Sequence, residues 1–304
     1  MTNKRLRNDF RLQLLKGIEG KAPFSSKYWY YVKDLRDNLF CEMKKEHVKM
    51  FDEGSGSELH DKRVSAKAKA IDSSSMLSYN FFSWIDETHT LAFDNIIYDK
   101  VFFEVKLNTL NTGYFPANMD VVLVSEDNKT VLFIESKFVE YLDYGKCELS
   151  ASYKDRNKYF DDNELIDDII SLVGKYNIIK GNYQYGIKQN ICHLIGISNL
   201  KYSSRARALF LKKYGSRYKC ILDADSYIFK NIVFDPDIAE AHALFDSYRK
   251  DLNAFSENLP TSVRQLVDSN FVVTYNELYN RMVGPFLTER RSYLFNRYIR
   301  FHGK

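Results

Sequence analysis

No apolar run in this chain of 304 residues approaches the ~18 residues that a membrane-spanning helix requires. The opening stretch MTNKRLRNDFRLQLLKG also lacks the apolar core of a signal peptide. A soluble, cytoplasmic protein with no membrane partner is therefore expected. Cysteine is scarce: Cys41, Cys147, Cys192 and Cys220 stand far apart with no CxxC or CxxH spacing, which points away from a zinc knuckle or a disulfide framework and fits a reducing compartment. The P-loop, GxGxxG and GxSxG patterns are missing, which removes the usual marks of an ATPase, a Rossmann dehydrogenase and an α/β-hydrolase. No HExxH helix, internal repeat or low-complexity segment is found.

What is present is ordinary in bulk and uneven in detail. The hydrophobic share of 45% and the charged share of 28% fit a folded soluble protein long enough for a sizeable core. The net charge of +4 is modest, yet residues 1–50 hold twelve Lys or Arg against six acids. Residues 201–219, KYSSRARALFLKKYGSRYK, hold seven Lys or Arg and no acid, with Tyr202, Phe210, Tyr214 and Tyr218 interleaved. Basic stretches with aromatics suit a phosphate backbone, although charge runs also serve as plain solvated faces. Lys201, Arg205, Arg207, Lys212 and Lys213 are the candidate DNA contacts there.

Apolar residues at three- and four-residue spacing predict helices in FRLQLLKGI and in WYYVKDLRDNLFCEMKKEHVKMF, and so a helical region over residues 1–50. DEGSGSELHDKRVSAKAKA breaks the pattern as a loop. In IDSSSMLSYNFFSWI, Asp72 or Ser73 can cap a helix whose Leu77, Phe81, Trp84 and Ile85 form the buried stripe. VFFEVKL reads as a strand, YKCILDADSYIF as a later strand, and DNELIDDIISLVGKYN, YGIKQNICHLIGI and DPDIAEAHALFDSYRKDLNAF as helices, with a terminal strand and helices after Pro260. The expected class is α/β, a mixed sheet flanked by helices over 51–304 behind the N-terminal helical extension, with no sharp domain boundary.

The chemistry centres on NMDVVLVSEDNKTVLFIESKF, residues 118–138. Two runs rich in Val, Ile, Leu and Phe flank the polar EDNK, the pattern of an antiparallel hairpin. With Ser125 opposite Thr130, paired numbers sum to 255 and Asp120 falls opposite Glu135. Directly opposed side chains have Cβ atoms about 4.5–5.5 Å apart. Two carboxylates at that spacing among apolar neighbours repel and lose hydration unless a cation joins them. Glu135 and Lys137 share a strand face, and the Ser136 carbonyl is a further candidate metal ligand. An ExK strand also serves as a simple ion pair, and a register slip of one residue would move Asp120 to the other face. On the helix YGIKQNICHLIGI, Gln189 and His193 lie four residues apart on one side; a core histidine is the plain alternative for His193.

These residues resemble the PD-(D/E)xK nuclease superfamily: NMD on one strand, ESK fifteen residues after Asp120 on the next, and a helix before them. GSGSEL followed by IDSSSMLSYNFFSWI is similar to the upstream signature of a restriction-endonuclease family in that superfamily, where a Gly-rich GEL-type stretch precedes a helix opening with paired serines and carrying Asn; here these positions are Glu58, Ser73, Ser74 and Asn80. QNICH resembles a helix motif found after the ExK strand in some branches. The likeness spans roughly 54–200. Asn118 and Met119 stand where the superfamily proline would adjoin Asp120, with Pro116 nearby.

The resemblance implies a restriction-endonuclease-like sheet and phosphodiester hydrolysis dependent on Mg²⁺ or Mn²⁺. It places Asp120, Glu135 and Lys137 at the centre, Glu58 as an additional acid and Ser136 as a main-chain ligand. Gln189 would hold Glu135, Lys137 or a phosphate, and His193 would contact DNA. A DNA endonuclease of restriction or phage-defence type is expected, as a homodimer if both strands are cut. The alternative is a catalytically silent DNA-binding protein with the same fold.

Overall fold

The structure, a computed structural model, describes residues 3–18, 24, 29–54, 58–61, 65–113, 116–142, 149–178, 185–235 and 238–299. Ser55–Ser57 of the Gly-rich signature and Cys147 lie outside the described residues. The α-helices are α1 (Asn3–Ile18), α2 (Lys45–Glu53), α3 (Ser74–Phe82), α4 (Ile166–Ile178), α5 (Tyr185–Tyr202), α6 (Ser204–Tyr214), α7 (Lys219–Asp223), α8 (Ala239–Glu257), α9 (Thr261–Arg264), α10 (Tyr275–Arg281) and α11 (Thr288–Leu294). The strands are β1 (Leu91–Phe93), β2 (Ile96–Leu107), β3 (Ala117–Ser125), β4 (Thr130–Lys137), β5 (Ser226–Val233) and β6 (Val267–Thr274).

They form one six-stranded mixed sheet in the order β1-β2-β3-β4-β5-β6. β1 to β4 run antiparallel as hairpins, whereas β4, β5 and β6 are parallel. Parallel neighbours require crossovers. Helices α4 to α7 lie in the chain between β4 and β5, and α8 and α9 between β5 and β6. The central strands are apolar at nearly every position, as a sheet covered on both faces demands, and β4 is buried from Val131 to Lys137. That burial makes the charged residues at the ends of β2, β3 and β4 conspicuous.

The N-terminal helix is part of the same core. Leu6, Phe10, Leu14 and Ile18, four residues apart, form the buried stripe of α1, and Phe10 packs edge-on against Phe138 just beyond β4. The expected helix across 29–51 is realised only from Lys45 onward. Upstream, Tyr31 bridges to Ala70, and Asp34 caps a short 3₁₀ turn at Leu35–Asn38 by accepting from the Arg36 N–H. Asn38 explains why tertiary contacts override the helical spacing. Fully buried, it donates to the Ala68 and Ala70 carbonyls at 2.6 and 2.9 Å and accepts from the buried Arg297. Asn38→Ala would orphan those groups, and a stability loss of about 2–4 kcal/mol is expected, seen as a lower denaturant midpoint with an unchanged m-value.

Two further differences from the sequence pattern are local. YKCILDADSYIF splits into α7 and β5, and β1, three residues long, is too short for a periodic pattern to reveal. Helix α3 begins where the serines predict: Ser73 is the N-cap and accepts from the Met76 N–H at 3.3 Å. It is buried around its whole circumference rather than along one stripe.

Candidate functional site

The hairpin register is the one its sequence predicts. Val124 pairs with Val131, Leu123 with Leu132, Val122 with Phe133 and Val121 with Ile134, each pair summing to 255. The next step would join Asp120 to Glu135, and there the main-chain ladder stops. The Asp120 carboxylate takes its place by accepting from the Ser136 N–H at 2.7 Å. In a strand the N–H and C=O of one residue point the same way. The Ser136 carbonyl thus faces β3 as well, while the neighbouring Lys137 carbonyl faces β5 and accepts from the Phe234 N–H at 2.8 Å. The Ser136 hydroxyl lies 2.6 Å from the Tyr275 hydroxyl at the start of α10.

Glu135 and Lys137 are almost fully buried, 2% and 5% exposed, and the Lys137 ammonium donates to Glu135 Oε1. On the other carboxylate oxygen, Oε2, the His193 Nε2 stands 2.7 Å away, at an angle that makes no aligned hydrogen bond. Helix α5 thus brings His193 against Glu135 in the interior rather than to the surface. One turn earlier, the Gln189 Oε1 is buried without a hydrogen-bond partner among the described residues. Asn231 of β5, level with Glu135, donates to Asn190 at 2.8 Å and ties α5 to the sheet.

Glu104 is the residue that sequence reasoning missed. In β2, Phe103 pairs with Val121 and Val105 with Met119, so Glu104 between them is level with Asp120. It is 6% exposed and has a φ of +52°, uncommon for a non-glycine residue. It accepts from the Asn118 side-chain N–H at 3.3 Å. Three acids, Glu104, Asp120 and Glu135, therefore lie level on three adjacent strands. The available clue was an acid inside VFFEVKL, the same anomaly that singled out Asp120, and Glu104-Val105-Lys106 repeats the E-x-K spacing of Glu135-Ser136-Lys137. Glu58 approaches from the loop after α2, held by Lys67 at 3.1 Å and by the Ser75 hydroxyl of α3 at 3.3 Å.

The electrostatics follow from crowding of acids in a dry place. Burial, with Glu58 and Glu135 adding to it, pushes Glu104 up to about 8. Burial also raises Asp120 well above the usual carboxylate range, and Glu135 and Glu104 reinforce the rise against Lys137 and the Ser136 N–H. Glu135 goes the other way: burial opposes its charge, but Lys137 and His193 outweigh it and hold the carboxylate ionised. Burial likewise disfavours the Lys137 ammonium, yet Glu135, Glu140 and Asp120 keep it charged, above the ordinary lysine value. A lysine so held is a donor and a positive charge, not a base.

The residues of 201–219 are placed unequally. Arg205 pairs with Asp161 at 3.0 Å. The Arg207 guanidinium is committed to the Leu222 and Leu200 carbonyls at 2.7 and 3.4 Å. Lys201 lies over the Tyr202 and Tyr227 rings at 5.4 and 6.0 Å. Lys212 and Lys213 are exposed near the end of α6. The absence of acids within the segment, visible in the sequence, is thus made good for Arg205 by an acid from elsewhere in the chain.

Among the described residues, no three His, Cys, Asp or Glu side chains are arranged to hold a metal ion as they stand. No helix of the described residues is long and apolar enough to cross a membrane. No family model matches the sequence, and no curated protein or solved structure matches it.

Proposed function

We propose that this protein is a metal-dependent DNA endonuclease of the restriction-endonuclease-like kind, with Asp120, Glu135 and Lys137 at its centre. The observation that carries the reading is the end of the β3–β4 ladder. There half-buried Asp120 stands beside buried Glu135, buried Glu104 adds a third acid, and Lys137 is the cation in contact with them through Glu135. Such an excess of buried acid is unfavourable unless a cation joins it. The helix before the strands and the Gln189/His193 helix after them agree with the resemblance.

The donor set suits Mg²⁺, which prefers oxygen ligands and keeps several waters, so a few protein oxygens suffice. Asp120, Glu135 and the Ser136 carbonyl would hold the ion, with Glu104 or Glu58 beside them. When bound, Mg²⁺ supplies charge neutralisation and a more acidic water. Lys137, kept charged, would orient an attacking water and stabilise the negative charge that develops on the phosphate. His193 stands against the Glu135 carboxylate from the α5 side, and Gln189, one turn earlier, is the residue that would hold Glu135, Lys137 or a phosphate.

The test is incubation with plasmid DNA with and without Mg²⁺, followed by mapping of the ends. Nicked or linear product only with Mg²⁺ is expected. Full activity in excess EDTA would overturn the metal mechanism, and tight DNA binding with no cleavage under any divalent ion would favour a silent DNA-binding protein instead.

A further inference from the structure

Two lysines, Lys106 on β2 and Lys213 at the end of α6, are brought to one place by the contact of Tyr214 with the Lys106 main chain. Lys106 pairs with Asn118 across the β2–β3 ladder, and Asn118 is the residue that donates to Glu104. Lys106 is therefore two residues along β2 from Glu104, about 7 Å at strand rise. Lys213 reaches the same place from α6. The Tyr214 hydroxyl accepts from the Lys106 main-chain N–H at 2.7 Å, which fixes the end of α6 on β2, and Gly215 at a φ of +70° stops the helix there. The Lys213 ammonium lies 4.8 Å over the Tyr214 ring.

Four other cations of the basic stretch are engaged elsewhere, Arg205 by Asp161, Arg207 by two carbonyls, Arg217 by Glu46 at 3.9 Å and Lys219 by Asp223 at 4.0 Å, while Lys201 lies over aromatic rings and exposed Lys212 has no ion-pair partner among the described residues. Among the described residues neither Lys106 nor Lys213 has an ion-pair partner. Although its side chain is exposed overall, the Lys213 ammonium loses hydration against Tyr214, and this, then Lys106, pushes it down to about 8, Glu53 offsetting the shift only in part. Two like charges so placed cost energy that an anion between them would remove.

We propose that Lys106 and Lys213 form a phosphate clamp that grips the DNA backbone at a phosphate flanking the one to be cut. The inference rests on the nuclease reading above and goes beyond it by naming where the backbone is held. It also replaces a broad basic face with two residues brought together from β2 and α6, far apart in sequence.

The test measures binding of a fluorescein-labelled DNA duplex in EDTA as a function of salt. Each phosphate contact contributes about 0.9 to the slope of log K against log salt. The double variant Lys106→Ala/Lys213→Ala is expected to flatten that slope by about 1.8, with Lys219→Ala unchanged. Lys106→Arg/Lys213→Arg, which keeps both charges, should retain the wild-type slope and so separates charge from folding. An unchanged slope in the Ala pair, or an equal loss in the Arg pair, overturns the clamp and leaves the nuclease reading intact. A wild-type protein that does not bind the duplex at all removes both.

Discussion

Lys137→Ala is expected to abolish Mg²⁺-dependent cleavage, leave duplex binding largely intact and lower the melting temperature of the metal-free protein. The first two outcomes follow from its position: the buried ammonium touches Glu135 among the acids rather than presenting a charge at the surface. The third follows from burial. Glu135 is 2% exposed and would lose its main counter-charge, leaving an ionised carboxylate beside Asp120 and Glu104. Removing one partner of a buried ion pair costs about 3–5 kcal/mol. For a protein of this size that is a fall on the order of 10 °C. Added Mg²⁺ should restore more stability to the variant than to the wild type, because the ion then supplies the charge that the lysine no longer does. Calorimetry with and without Mg²⁺ checks this directly. A variant that melts like wild type would show that Glu135 is answered by another group, and one that still cuts would remove Lys137 from the machinery.

Asp120→Asn should behave in the opposite sense without metal. Burial, with Glu135 and Glu104, holds its carboxyl above the usual range in the folded state, so ionised Asp120 destabilises the fold. The sign is fixed by linkage. Below the unfolded value of ~4 the carboxyl is protonated in both states and nothing is lost. As pH rises above that value the unfolded chain releases its proton first, and wild-type stability declines. The Asn variant has no such term and can still accept from the Ser136 N–H. It should melt with the wild type near pH 4 and progressively above it toward pH 8 in EDTA. It should also lose cleavage and most of the Mg²⁺ shift, which for a ligand at a hundred times its Kd is worth about 2.7 kcal/mol. If Asp120→Asn were strongly destabilised in EDTA and still gained the full Mg²⁺ shift, Asp120 would be a structural acid and the ion would sit elsewhere.

The hairpin could be read from the chain because its information is local. Two apolar runs, a polar four-residue loop and a strand period of two set the register, and the register alone places Asp120 beside Glu135. The Ser73 cap and the helix carrying Gln189 and His193 were legible for the same reason: a cap and a helical repeat act within a few residues. Residues 29–44 were not, because apolar spacing there is overruled by distant partners. Asn38 answers to Ala68, Ala70 and Arg297, and no local pattern reveals a hydrogen bond made across such separations.

By itself, then, the sequence determined the hairpin, its register and the pairing of two acids with a lysine, since adjacent strands joined by a short loop leave the side chains little freedom. Only the tertiary structure decided that β2 lies against β3 in the register that brings Glu104 level with Asp120. It alone decided that α5 turns His193 inward onto Glu135, and that α6 ends on β2 with Lys213 near Lys106. Those contacts join residues separated by long stretches of chain. Their energies come from burial and from charges in a low-dielectric interior, which depend on what the fold places nearby and not on neighbours in sequence.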